Sequence, residues 1–170
     1  PPFKECIEAG ALTVMVSSSS NDGVPFHTNK ELLTGWLKEG LNWDGMIVSD
    51  WADARFAFDR DYTTPSYKEA VRRVVDAGVD MIMEPNSVEV CDYLVELVNE
   101  KQLPMSRIDD AVRRILRLKF RLGLFDDPYG LAGNYEKFAC PEYVNSAYRA
   151  AVEGEVLLKN ENSILPLDCK

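Results

Sequence analysis

Two acidic residues follow apolar stretches that are typical of buried strands. Asp50 ends the stretch GMIVSD and precedes Trp51, and Glu84 ends the stretch VDMIME. In sheets and barrels of parallel strands, ligands bind at the carboxyl ends of the strands. Most glycoside hydrolases use two carboxyl groups held roughly 5 to 9.5 Å apart. Because an aromatic ring also packs well against a sugar ring, this pattern favours glycoside hydrolysis.

These residues also have simpler interpretations, which stay open at this point. An aspartate after a strand often forms a turn or caps a helix, and residues 85–87 (Pro-Asn-Ser) after Glu84 are typical of the start of a helix. A serine nucleophile within residues 17–20 would need a base, but the chain has one histidine, His27, and no GxSxG motif. Glycine-rich phosphate loops are also absent from the sequence.

Three segments share the order helix, glycine, buried strand. They are residues 7–16 (IEAGALTVMV), 37–50 (LKEGLNWDGMIVSD) and 75–84 (VDAGVDMIME). Glycine is favoured just after the end of a helix, and continuous apolar runs are typical of parallel strands covered on both faces. These segments therefore predict three parallel strands.

Helices are predicted between and after these strands. Apolar residues recur at helical spacing in residues 30–39, 66–77 and 87–100, and Ser66 is placed to cap the second helix. The alternation of strand and helix predicts an α/β fold with a parallel sheet and right-handed crossovers.

The remaining residues predict a different organisation. Residues 106–125 form a strong helical pattern, with Ser106 and Asp109 as a capping box and Gly123 near the end. Its five arginines are expected to form a solvated face: Arg107, Arg113, Arg114, Arg117 and Arg121.

The last part of the chain begins with a turn-rich stretch. Residues 126–134 are expected to form a linker or a surface crossing, and residues 141–153 a last helix. The end of the chain, VLLKNENSILPLDCK, predicts a strand and a turn.

Composition excludes several classes of function. The 170 residues carry a net charge of −9, with a pI near 4.7, which argues against nucleic-acid binding. No apolar run reaches the roughly 20 residues of a membrane helix. The cysteines, Cys6, Cys91, Cys140 and Cys169, form no CxxC pair, so we expect thiols rather than a metal site.

At GMIVSDW the sequence resembles the family 3 glycoside hydrolases, the β-glucosidase family. Residues 2–38 resemble the segment around that family's sixth barrel strand, including the pattern Gly-x-Pro-x-His-x-Asn at residues 23–29. AGVDMIMEP resembles the eighth strand, RIDDAVRRILRLKFRLGLFDDP the helix that closes the barrel, and EGEVLLKNENSILPL the start of a second domain. Four matches in the right order make the resemblance specific.

The resemblance implies roles for particular residues. The family's Ser-Asp-Trp motif contains the catalytic nucleophile, which corresponds to Asp50 here, and Trp51 would line the pocket for the sugar. Ser18 stands where the family often has an aromatic residue, so a stacking contact there is in doubt. Glu84 is disfavoured as the general acid, because the resemblance implies that the family's general acid lies outside this sequence. No cofactor or metal is implied.

The resemblance also implies the architecture and the partners. Residues 1–125 would be the last three βα units of a (β/α)8 barrel, and residues 126–170 a linker and the start of an α/β-sandwich domain. The expected partners are an oligosaccharide or β-glucoside substrate and the remainder of the enzyme, which would be periplasmic or secreted. The chain alone is expected to be inactive and to self-associate through open strand edges. The alternative is a non-catalytic α/β module with at most weak sugar binding.

Overall fold

The computed structural model describes residues 2–129 and 135–168. The chain divides into two compact units, Pro1–Pro128 and Tyr129–Lys170. Within the described ranges, no helix is both long and apolar enough to cross a membrane. Residues 130–134 of the expected linker, and Cys169, lie outside the described residues, while Cys6, Cys91 and Cys140 are free thiols.

The centre of the first unit is a short parallel sheet. Strand β1 (Thr13–Met15) pairs in parallel with β4 (Met46–Val48), in the register Thr13↔Met46. The predicted third strand is reduced to one parallel bridge between Val48 and Met81. The ladder stops there because the Met83 N–H bonds to the Ser49 hydroxyl rather than to a main-chain oxygen. The prediction of an α/β fold with parallel pairing is confirmed, and the length of the third strand was overestimated.

A small hairpin follows β1. Strands β2 (Ser20–Asn21) and β3 (Val24–Pro25) pair in an antiparallel manner. The turn between them, Asp22-Gly23, has positive φ at both residues, 49° and 78°. Asp-Gly is a strong signal for a two-residue hairpin turn. Our sequence interpretation, which concentrated on the buried strands, did not include it.

Helices surround the sheet, and four of them agree within a few residues with the helices predicted at 30–39, 66–77, 87–100 and 106–125, whereas the helix Asp53–Asp59 was not predicted. The helices of the first unit are α1 (Pro2–Glu8), a π-helix (Glu31–Gly40), α2 (Asp53–Asp59), α3 (Tyr67–Ala77), α4 (Glu89–Asn99) and α5 (Met105–Arg121). Ser66 caps α3 as predicted, since its hydroxyl accepts the Glu69 N–H. Gly78 and Gly123 end helices with positive φ.

The predicted capping box of α5 was wrong, and the predicted solvated face holds for Arg113, Arg117 and Arg121 only. Pro104 is the N-cap of this helix, without a side-chain hydrogen bond. The predicted capping box fails because the helix begins at Met105, which places Ser106 inside the first turn. Arg107 and Arg114 are not on a solvated face, since their side chains are only 13% and 14% exposed. Arg114 instead donates to the Trp43 and Gly45 carbonyls before β4.

Among its described residues, the second unit has the helix α6 (Pro141–Gly154) and a short 3₁₀ turn (Glu161–Ser163). The strand predicted after α6 is absent from the described residues of this unit. A strand needs a partner for its main-chain groups, and here the Leu165 main chain bonds instead to the Asn160 side chain at 3.0 Å.

A buried carboxylate joins the sheet to the helices. Asp80 Oδ1 lies 2.7 Å from Lys38 Nζ and 2.7 Å from Arg107 Nη2, and Asp80 Oδ2 accepts the Ile47 N–H at 2.9 Å. The Asp80 side chain is completely buried, and Lys38 is 5% exposed. Burial lowers the pKa of Lys38 to about 8, although Asp80 opposes this effect. The carboxylate therefore binds β4, the π-helix and α5 at one point.

Replacing Asp80 with Asn should destabilise the fold strongly. The variant removes the buried counter-charge of Lys38 and Arg107 and leaves them only the part-exposed Asp110, so we expect the free energy of unfolding to fall by about 3 kcal/mol, the lower end of the range for a broken buried pair. Urea unfolding of the enzyme that contains this chain measures it. The matched control is Asp76→Asn, because Asp76 pairs with Lys30 at the surface and should contribute at most about 1 kcal/mol. Equal losses in the two variants would contradict this account of the buried carboxylate.

Candidate active site

Asp50 lies two residues beyond the last residue of β4, at the carboxyl end of the parallel sheet. Its side chain is part-buried, and Oδ1 accepts the Trp51 N–H at 2.7 Å. Within the described residues, Oδ2 has no hydrogen-bond partner. One oxygen of the carboxylate is therefore held in place while the other is available to react.

The main chain around Asp50 is fixed by the neighbouring Ser49. This serine is completely buried. Its hydroxyl donates to the Asp50 carbonyl at 2.9 Å and accepts the Met83 N–H at 2.7 Å. The Ala52 N–H then donates to the Met83 carbonyl. Ser49 thus connects the turn after β4 to the segment that follows the Val48–Met81 bridge.

Trp51 and Ala52 turn the chain sharply from β4 into α2. Ala52 adopts a left-handed conformation, with φ of 59°, as the N-cap of this helix. The Trp51 side chain remains 60% exposed. An exposed indole directly beside a strand-end carboxylate is a suitable surface for the apolar face of a sugar ring.

His27 is buried beside Asp50. Its Nε2 accepts the Asp50 N–H at 3.1 Å, and its Nδ1 lies 3.4 Å from Asp53 Oδ2. Burial lowers the pKa of His27, while Asp53 and Asp50 oppose this effect. The ring is therefore a neutral acceptor for the Asp50 main chain. Both ring nitrogens are occupied by these contacts, so His27 is not arranged as the base of a serine nucleophile.

Ser18 belongs to the same group of residues. Its hydroxyl donates to Asp53 Oδ1 at 2.7 Å and accepts from Arg60 Nη1 at 2.8 Å. The structure therefore brings Ser18 and Asp50 to the same region through His27 and Asp53. Neither Asp53 nor Arg60 was identified from the sequence, because no local pattern indicates that they meet residues more than 20 positions away.

Glu84 is occupied by another partner. The Tyr67 hydroxyl donates to Glu84 Oε2 at 2.6 Å, and Arg55 lies over the Tyr67 ring at 4.2 Å. Burial, with the Glu84 carboxylate adding to it, raises the pKa of Tyr67. The proton of Tyr67 therefore stays on its oxygen at neutral pH and continues to donate to Glu84. The described residues also contain no cluster of His, Cys, Asp or Glu that could hold a metal ion.

Comparisons with known proteins place this chain in a family. Residues 1–118 match the model of the glycosyl hydrolase family 3 N-terminal domain. The lysosomal beta glucosidase of Dictyostelium discoideum is 39% identical over 99% of this chain and 21% of its own length. A beta-xylosidase of Formosa agariphila is 34% identical over 99% of the chain and 24% of its own length.

A solved structure agrees with these sequence matches. The beta-glucosidase of Listeria innocua, in a complex with glucose, has a TM-score of 0.78 at 35% identity. The match covers 98% of this chain and 23% of the other, so the chain spans about a quarter or less of each of these relatives. The resemblance drawn from the sequence motifs is confirmed: the chain belongs to glycosyl hydrolase family 3.

Proposed function

We propose that this chain carries the catalytic nucleophile of a retaining, exo-acting β-glycosidase, and that the nucleophile is Asp50. The observation that carries the proposal is the carboxylate at the end of β4, with Oδ1 held by the Trp51 N–H. The relatives named as a beta glucosidase and a beta-xylosidase support a terminal β-linked sugar as the substrate. An oligosaccharide or a β-glucoside would fit this class.

The proposed reaction has two steps. Asp50 Oδ2 attacks the anomeric carbon and forms a glycosyl ester as the glycosidic bond breaks, and a general acid gives its proton to the leaving oxygen. Water then attacks the same carbon and gives a proton back to the deprotonated general acid, the ester bond breaks to release Asp50, and the two inversions give net retention. Trp51 would line the pocket for the sugar, and Ser18 would lie at its edge.

We further propose that residues 1–125 are the last three βα units of a (β/α)8 barrel. Residues 126–170 would then be the linker and the start of an α/β-sandwich domain. The parallel pairing of β1 with β4, and of Val48 with Met81, supports this arrangement. The general acid and most sugar contacts would come from the remainder of the enzyme, which would be this chain's main partner.

Trapping the intermediate tests the role of Asp50. The enzyme containing this chain would be inactivated with a 2-deoxy-2-fluoro-β-glucoside and digested for peptide mass mapping. We expect the label on Asp50. Asp50→Ala should lower kcat by at least about 1,000-fold, because the covalent step is lost. Added azide should restore turnover and give the α-glycosyl azide. A label on any other residue would refute the assignment.

Glu84→Gln tests whether the second strand-end carboxylate is the general acid. We expect kcat to change less than 10-fold, because Glu84 already accepts the Tyr67 hydroxyl. A general acid would instead contribute about 10²- to 10⁴-fold. The measurement compares a phenyl glycoside with a dinitrophenyl glycoside, whose leaving group needs no proton. A large loss confined to the phenyl substrate would make Glu84 the acid.

The isolated 170 residues should show no measurable hydrolysis. The chain spans only 21% to 24% of the length of the relatives described above, and loss of the acid alone costs about 10²- to 10⁴-fold in rate.

Size-exclusion chromatography of the isolated chain should show self-association through unpaired strand edges. The absence of hydrolysis would also fit a non-catalytic α/β module. Trapping of the intermediate in the longer enzyme distinguishes that module from a catalytic fragment. Rapid hydrolysis by the isolated chain, or a compact monomer, would be evidence against the proposal.

A further inference from the structure

His27 and Asp53 form a buried pair directly behind Asp50. Each of the two residues is 2% exposed. His27 comes from the 3₁₀ turn Phe26–Thr28 after the hairpin, and Asp53 is the first residue of α2. The pair therefore joins the loop after β1 to the turn after β4.

The partners of the imidazole define its tautomer. Nε2 accepts the Asp50 N–H, so it carries no proton, and the single proton of the neutral ring is on Nδ1. Asp53 Oδ2 faces Nδ1 at 3.4 Å. Within the described residues, this buried oxygen has no hydrogen-bond partner, so its approach to Nδ1 is an electrostatic contact rather than a hydrogen bond, whereas Oδ1 accepts from Ser18. Asp53 Oδ2 is therefore the buried acceptor that faces Nδ1, and its negative charge favours a proton on that nitrogen.

We propose that His27 and Asp53 are positioning residues that hold the Asp50 main chain in the orientation for nucleophilic attack. The inference rests on the proposed function of Asp50. Asp53 keeps the proton on Nδ1, Nε2 then accepts the Asp50 N–H, and the Trp51 N–H holds the Asp50 carboxylate. In the other tautomer, or in the protonated ring, an N–H on Nε2 would face the Asp50 N–H and the contact would be lost.

The charged groups around His27 are consistent with a neutral ring. Asp53, Asp50 and Asp61 raise its pKa, and burial, the largest effect, together with Arg60, lowers it. Because the folded-state pKa is below the ordinary 6.5, the ring remains neutral as the pH falls moderately below that value. The acceptor on Nε2 is lost only when the pH falls through the lowered pKa, and the hold on Asp50 is lost with it.

The position of a nucleophile affects the rate of its attack more than it affects the affinity for the substrate. A displacement of about 1 Å can reduce the rate of a reaction by about 100-fold. A change in the His27–Asp53 pair should therefore lower the rate of glycosyl-enzyme formation and leave substrate affinity nearly unchanged. A merely structural role would lower the amount of active enzyme without changing the rate constant of each active site.

The test uses the first-order rate constant of inactivation by a 2-deoxy-2-fluoro-β-glucoside, measured on the enzyme that contains this chain. Asp53→Asn is nearly isosteric and lets the imidazole proton move to Nε2, so we expect the limiting rate constant to fall about 10- to 100-fold. The half-saturating concentration should change less than about 3-fold. The matched control is Asp59→Asn at the other end of α2, which is exposed and should react at the wild-type rate.

A second pair of variants distinguishes the effect of the hydrogen-bond acceptor of His27 from the effect of its side-chain volume. His27→Gln keeps an acceptor near the position of Nε2 and should retain the rate constant within about 3-fold. His27→Met has similar size without that acceptor and should lose about 10- to 100-fold. Equal rate constants for these two variants, or a wild-type rate in Asp53→Asn, would overturn the inference. If wild-type label is absent from Asp50, the proposed function itself fails, so the two failures are distinguishable.

Discussion

The structure depends on one buried carboxylate, Asp80, which connects the sheet to the surrounding helices. Its two oxygens bond to Lys38, Arg107 and the main chain of Ile47. Ile47 is in β4, three residues before Asp50. A buried charge without partners would cost several kcal/mol, so these contacts specify one arrangement of the three elements. The position of β4, and with it the position of Asp50, follows from that arrangement.

Hydrogen bonds also fix the turn at the carboxyl end of β4, where Asp50 lies. Ser49 connects the turn to Met83, the Trp51 N–H holds one oxygen of Asp50, and His27 accepts the Asp50 main-chain N–H. His27 and Met83 come from segments distant in sequence, so the turn that carries Asp50 is attached to two other parts of the first unit. This preorganisation is what a nucleophile of a glycoside hydrolase needs, since its reactive oxygen must be near the anomeric carbon before the reaction begins.

The sequence predicted those features that local patterns encode. The apolar runs indicated the parallel strands, Ser66 indicated a helix cap, and the Ser-Asp-Trp motif indicated the family and the candidate nucleophile. The contacts of His27 with Asp53, and of Arg107 with Asp80, join residues 26 and 27 positions apart, and no periodicity encodes such pairs. The arginines of α5 were assigned to a solvated face because helical spacing does not reveal which of them meet buried acceptors.

The central claim is that Asp50 Oδ2 is the atom that bonds to the sugar. A crystal structure of the enzyme containing this chain, after inactivation with a 2-deoxy-2-fluoro-β-glucoside, tests it most directly. The account predicts continuous density between Asp50 Oδ2 and the anomeric carbon. Oδ1 should still accept the Trp51 N–H, and the Asp50 N–H should still donate to His27 Nε2. A sugar bonded to another carboxylate, or bonded to none while Asp50 is unmodified, would contradict it.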